Sequence, residues 1–224
     1  MSLILLAVAP SMIIIIYIYF KDRFEKEPWT LLLKSFILGA TVSVLLTLIL
    51  GKLTTELLPL LDQNHLLDVF IKAFFVVGLV EEFSKYVVVR YIAQRNKEFD
   101  EPFDGIVYAV MVSMGFATLE NILYVYSYGY ETGVLRAFTA VPAHATFAVL
   151  MGYFMGKAKF SNRTYVFNLT GLLAATLFHG AYDFFLFIEF IPGIATGAFV
   201  SLLVGIFLSS KAIKLHQENS LHRE

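Results

Sequence analysis

Residues 70–92 read FIKAFFVVGLVEEFSKYVVVRYI. The stretch is long enough to cross a bilayer, which takes about 20 mainly apolar residues. Yet it carries Glu81 and Glu82 side by side at its centre, with Lys85 one turn later. An ionisable side chain at that depth costs about 2.5–3.5 kcal/mol on insertion scales. Three of them in one span demand partners on the same helix or on neighbouring ones.

The rest of the chain has the same character. It has 224 residues, 58% hydrophobic and 16% charged, with a mean hydropathy of +0.72. A water-soluble domain cannot bury that much apolar surface, so the expected class is an all-α, polytopic membrane bundle. Seven spans are predicted, at 3–20, 31–50, 70–91, 105–128, 134–156, 164–187 and 191–209. Residues 1–20 are uncharged and lack a basic leader, so they read as a retained helix rather than a signal peptide. The mixed stretch 52–65, with Pro59, reads as an interfacial helix or loop. No repeat or linker stands out, so residues 1–224 read as a single membrane domain whose catalytic core lies on spans within 66–188.

Lysines and arginines cluster after spans one, three and five and in the tail: Lys21, Arg23, Lys26; Arg90, Arg95, Lys97; Lys157, Lys159, Arg163; Lys211, Lys214, Arg223. The opposite side holds Lys52 and Arg136. By the positive-inside rule the N-terminus is expected outside and the C-terminus in the cytoplasm. The net charge of −1 and the absence of basic runs argue against a nucleic-acid partner. With no cysteine, thiolate ligands and cysteine nucleophiles are excluded.

Other spans also carry polar groups: Glu120 and Asn121 in GFATLEN, His144 in VPAHATF, His179 and Asp183 in LFHGAYDFF. At a rise of ~1.5 Å per residue, Glu82, Glu120, His144 and His179 all fall ~12–15 Å below the outer ends of their spans. Ion pairs that merely hold a bundle together would not need four helices to deliver their groups to one level. Two histidines with carboxylates suit zinc, which accepts nitrogen and oxygen ligands and leaves a position for water. Glu82, Glu120, His144 and His179 are the candidate ligands. Asp183, one turn after His179, is placed to orient its ring. A metal-free site is the alternative: Glu82 takes a proton from water and a histidine steadies the oxyanion. Neither H-E-x-x-H nor G-x-S-x-G occurs, and Tyr182-Asp183 lacks the G-x-G-D partner of presenilin-type proteases. A transporter or proton channel would also use intramembrane Glu and His, though its relay would run through the membrane rather than sit at one level.

The motifs together, E-E-x-x-K at 81–85, FDGIVYA at 103–109, GFATLEN at 115–121, PAHA at 142–145, H-G-x-x-D at 179–183 and KDRFEKEPW at 21–29, closely resemble the PrsW intramembrane proteases. That family sits in the superfamily of CAAX prenyl endopeptidases and bacteriocin-processing proteases. The resemblance implies a membrane endopeptidase of the bacterial plasma membrane that makes the first cut in a single-pass anti-sigma factor during stress signalling. It assigns Glu81, Glu82 and His179 to the catalytic centre, with Lys85, Glu120, His144 and Asp183 in support. It pairs Lys85 with one of the two glutamates; the i,i+4 spacing favours Glu81 as that structural partner, which leaves Glu82 facing the site. Phe116-x-x-x-Glu120 has glutamate where the CAAX pattern has histidine, which argues against prenyl-protein processing.

Overall fold

The computed structural model describes residues 2–23, 25–58 and 65–220. They form helices and connecting turns, with no strand among the described residues. Ten α-helices follow in order: α1 Leu3–Lys21, α2 Trp29–Leu38, α3 Val44–Leu57, α4 Leu66–Ile71, α5 Leu79–Val88, α6 Asp104–Tyr128, α7 Tyr130–Phe138, α8 Ala140–Lys159, α9 Thr164–Phe187 and α10 Thr196–Glu218. A π-helical turn at Gly39–Ser43 joins α2 to α3, and another at Lys72–Gly78 joins α4 to α5. A third, Val89–Ala93, follows α5. The ten residues bearing the two glutamates and Lys85 are thus bracketed by π turns, a rare local winding that recurs at functional sites.

Six helices among the described residues are long and apolar enough to cross a membrane: Leu3–Lys21, Trp29–Leu57, Asp104–Tyr128, Tyr130–Lys159, Thr164–Phe187 and Thr196–Glu218. The helical run over 66–93, which holds the predicted third span, is not among them. Asp68, Lys72, Glu81, Glu82, Lys85 and Arg90 stud it throughout. It lies against α9 from end to end: Lys72 rests 4.8 Å from the Phe187 ring at one end, and Gln94 bonds Asn168 at 3.0 Å at the other.

α6 is the central post. Its apolar window is 78% buried, against 11% for Trp29–Leu57 and 22% for α1. The outer helices therefore turn leucine, isoleucine and phenylalanine outward, as a lipid-facing surface requires. α8 packs on α6 through Gly105, Gly152 and Gly156. A Cβ at Gly152 would stand 2.3 Å from the Gly105 carbonyl oxygen, so only glycine permits this backbone contact. Gly193 sits in a turn at φ 79°, before α10 begins.

Besides the second, which runs over Trp29–Leu57 rather than 31–50, two predicted spans have different bounds. The span at 134–156 is two helices parted at Thr139, with φ −125° and ψ −76°. Pro142 explains the break: it has no N–H to give the Phe138 carbonyl, and its ring crowds that oxygen. The span at 191–209 starts later, after Pro192 and Gly193, and runs on to Glu218. Its last turns escape a hydropathy reading because Lys211 and Lys214 intervene, yet Ala212, Ile213 and His216 are buried. Within the stretch 52–65, residues 52–57 continue α3, and residues 59–64 lie outside the described residues.

At the end of the bundle that holds Lys21, Gln217 donates to the Lys21 backbone carbonyl and Ser220 to the Glu101 carboxylate. Ser2 caps the opposite end of α1. The described ends of the chain therefore lie at opposite ends of the bundle. Beside Lys21, Asp22, Glu27 and Glu101 are buried together. Burial pushes the Asp22 carboxyl up to about 7 from 3.8, against the pull of Lys26. The folded state thus holds this proton where the unfolded chain releases it, so stability falls as pH rises from about 4 to about 7. Asp22→Asn is expected to raise the melting temperature in detergent above the parent's at pH 8, with the gap closing at pH 4. An equal gap at both pH values would refute the assignment.

Candidate active site

The polar groups of four helices meet inside the bundle. Glu81, Glu82 and Lys85 come from α5, Glu120 from α6, His144 from α8, and His179 and Asp183 from α9. The crossing of α9 with the 66–93 run is close because Gly78 and Gly180 face each other. A Cβ at Gly78 would lie 3.1 Å from the Gly180 nitrogen. That approach lets His179 reach across to α5.

Glu82 is fully buried. Its Oε1 accepts from Lys85 Nζ at 2.7 Å and lies 2.9 Å from His179 Nδ1. Its Oε2 is buried without a hydrogen-bond partner. Lys85 also lies 3.3 Å from Glu81 Oε2 and 3.1 Å from His144 Nδ1. Its ammonium stands 4.2 Å from the centre of the Phe116 ring, a cation–π contact in a dry site. The expected division gave Lys85 to Glu81 and left Glu82 facing the site. In the structure Lys85 holds both carboxylates, and Glu82 more closely.

His179 Nε2 faces Asp183 Oδ2 at 3.4 Å and Glu81 Oε2 at 4.0 Å. Asp183 is thus where the i,i+4 spacing places it. Phe147 stacks on the His179 ring with centroids 4.9 Å apart, which restricts the ring to one plane.

One set of donor atoms among the described residues could hold a metal ion: Glu81, Glu82, His144 and His179 each offer one atom, all within 4.8 Å of one another. The sequence-derived set had Glu120 in place of Glu81. Glu120 is turned away, because its Oε2 accepts from Arg136 Nη2 at 2.7 Å and lies 2.9 Å from His144 Nε2. Arg136 is the site neighbour that the sequence reading assigned to an outer loop. A signal was present: Glu120 lies about as far before Gly129 as Arg136 lies after it, so a helical hairpin brings the two level.

The arrangement offers carboxylates that can take a proton from water, imidazoles that can donate to or ligate a reacting group, and one cation, Lys85, in contact with both α5 carboxylates. No thiol is available.

Comparison with known proteins agrees with this chemistry. A family model described as "PrsW family intramembrane metalloprotease" matches residues 27–210. Protease PrsW of Geobacillus kaustophilus is 40% identical over 204 residues, covering 90% of this chain and 87% of the relative. Protease PrsW of Bacillus subtilis is 37% identical, covering 83% of each chain. That of Clostridioides difficile is also 37% identical, covering 85% of this chain and 81% of the relative. No solved structure matches the chain. A buried glutamate–histidine centre in a bundle of apolar helices, with likeness of this extent, leaves one conclusion: the chain belongs to the PrsW family of intramembrane metalloproteases.

Proposed function

We propose that this multi-pass membrane protease makes the first cut in a single-pass, membrane-anchored anti-sigma factor, on the outer side of a bacterial plasma membrane. The family membership supplies the peptide-hydrolase activity, and the resemblance of the ordered motifs supplies the substrate class. The observation that carries the reading is the buried set Glu81, Glu82, His144 and His179 within 4.8 Å of one another. A proton channel would string such groups through the membrane; a hydrolase needs them in one place.

Glu81 is the general base in this proposal. Glu82 is bound by Lys85 and His179 through one oxygen, and its other oxygen is sealed from solvent. Glu81 is less enclosed and its Oε2 lies 4.0 Å from His179 Nε2, so a water seated beside the pair can contact both side chains. Glu81 takes a proton from water as the water oxygen bonds to the scissile carbonyl carbon. His179 donates to the oxyanion that forms. The proton then passes from Glu81 to the departing amine as the C–N bond breaks.

The donor set fits zinc: two imidazoles and two carboxylates, buried, with an orphaned Glu82 oxygen among them. With the Lys85 ammonium drawn back from Glu82 Oε1 and His144 Nδ1, which it contacts at 2.7 and 3.1 Å, Glu82, His144 and His179 would hold the ion, leaving Glu81 as base. When bound, zinc would supply Lewis-acid polarisation of water or carbonyl. The test is purified protein with a candidate membrane-anchored anti-sigma factor, with and without a chelator, followed by mass spectrometry of the products. A single extracytoplasmic cut that chelation abolishes supports both readings. Cleavage that survives chelation, in protein without stoichiometric metal, removes the zinc. No cleavage of any anti-sigma factor by protein that cuts other membrane peptides removes the substrate assignment.

In this reading the run over 66–93 is a seventh crossing, with the N-terminus outside and the C-terminus in the cytoplasm. Its end-to-end packing on α9 and the opposed ends of the chain support it. Because the chain has no cysteine, single cysteines can be labelled cleanly with a membrane-impermeant thiol reagent. Intact cells are expected to label at position 131 and not at 160. The reverse pattern would overturn the orientation.

A further inference from the structure

Arg136 lies on α7, outside the four-residue donor set, yet its side chain is only 13% exposed. Its guanidinium makes three contacts. Nη2 donates to Glu120 Oε2 at 2.7 Å, Nε donates to Asn121 Oδ1 at 3.0 Å, and the group lies 3.9 Å from the centre of the Tyr124 ring. Asn121 is itself fixed, because its amide donates to the Ala7 carbonyl on α1 at 2.9 Å. Arg136 is therefore seated by two helices and presents one N–H to Glu120.

The same Glu120 oxygen lies 2.9 Å from His144 Nε2. A carboxylate paired to a guanidinium only accepts, so Nε2 carries the proton. On the other side of the ring, Nδ1 lies 3.1 Å from the Lys85 ammonium, which only donates. Nδ1 must accept. Two separate contacts, one at each nitrogen, require the same tautomer of His144, and that assignment rests on partners and not on observed hydrogens.

We propose that Arg136 is a positioning residue of the protease. By holding the Glu120 carboxylate it fixes the Nε2–H hydrogen bond of His144, and with it the angle of the ring that aims the Nδ1 lone pair at Lys85 and the paired glutamates. The inference rests on the active-site reading above and deepens it. The arrangement is a carboxylate–histidine pair of the kind that fixes ring orientation at metal and hydrolytic centres, with the arginine one step further out. Arg136 also ties α7 to α6. A tie alone would leave the Nε2–H hydrogen bond of His144 indifferent to it.

The experiment uses full-length, metal-free protein, 15N-labelled at histidine, in detergent micelles. His144→Gln assigns the resonance. The parent is expected to give the Nε2–H pattern at His144; Arg136→Met the same tautomer, because Lys85 still donates to Nδ1, but with the Nε2–H proton signal shifted upfield and broadened as its hydrogen bond to Glu120 loosens; and Arg136→Lys the parent pattern. Turnover of a membrane-spanning fluorogenic peptide that the parent cuts is expected to drop roughly 10–100-fold in kcat for Arg136→Met. KM should stay near the parent value, and Arg136→Lys should recover most of the rate. Where Arg136→Met fails to accumulate, Arg136→Gln gives the same readout from a side chain that fills much of the space. A parent-like His144 spectrum in either neutral variant overturns the proposal. Glu81→Gln protein that still cuts the peptide at the parent rate would instead remove the active-site reading and leave the His144 result standing.

Discussion

Glu81→Gln is expected to lower peptide hydrolysis by about 10²–10⁴-fold, the usual contribution of a general base, while the protein still inserts and accumulates. Glutamine keeps the shape of the side chain and still accepts from Lys85, but cannot take a proton from water. His179→Ala is expected to fall as far, because it removes the donor to the oxyanion and the partner of Glu82 together. The comparison that decides the roles is Glu82→Gln. If Glu82 serves mainly to hold Lys85 and His179, its loss should reduce folded yield as well as rate, whereas Glu81→Gln should reduce rate alone. Rates are compared at equal folded protein, with products read by mass spectrometry. Near-parent hydrolysis by Glu81→Gln would exclude it as the base. Loss of rate in Glu82→Gln at full stability would move that role to Glu82.

How far the sequence foretells this site depends on what kind of information each residue carries. Intramembrane charges announce themselves by their cost, so Glu81, Glu82, Lys85, Glu120, His144, His179 and Asp183 are all legible. Their common depth also follows from counting along helices. The direction in which each side chain turns does not. Glu120 and Glu81 exchange places in the donor set because Arg136 draws the Glu120 carboxylate away. Arg136 arrives from a helix that hydropathy merges with the next one. The break at Thr139 that frees α7 has a local cause in Pro142, readable once looked for. The division of labour between Glu81 and Glu82 is harder. Adjacent helical residues point about 100° apart, so the sequence says that they differ but not which one faces Lys85. The π turns flanking α5 rotate it relative to the helical turns before and after it, and no composition rule foretells them. The bundle itself was plain from apolar content, apart from the end of α10, whose lysines hide a buried stripe of Ala212, Ile213 and His216.

Lys85→Met is expected to produce the largest loss of stability of any single change in the site. Lys85 is 1% exposed, and its ammonium lies 2.7 Å from Glu82, 3.3 Å from Glu81 and 3.1 Å from His144. Methionine fills much of the same volume and would still contact the Phe116 ring, so packing changes little. What changes is charge. Two adjacent buried carboxylates lose their shared counter-ion, and breaking a buried pair by removing one partner costs about 3–5 kcal/mol. The cost comes from the stranded carboxylates, so removing them should restore stability. The double variant Lys85→Met with Glu82→Gln is therefore expected to melt well above Lys85→Met alone, although it carries one more substitution. A non-additive gain of that sign is what coupled neighbours give and independent sites do not. Thermal unfolding in one detergent, followed for the parent, both single variants and the double variant, reads the coupling directly. If Lys85→Met melts with the parent, the ammonium is not what keeps the carboxylates charged. If the double variant melts no higher than Lys85→Met, the loss lies in packing around Phe116 and not in the ion pair. With the expected pattern, the lysine makes two neighbouring glutamates tolerable inside the bundle and keeps one of them available as a base.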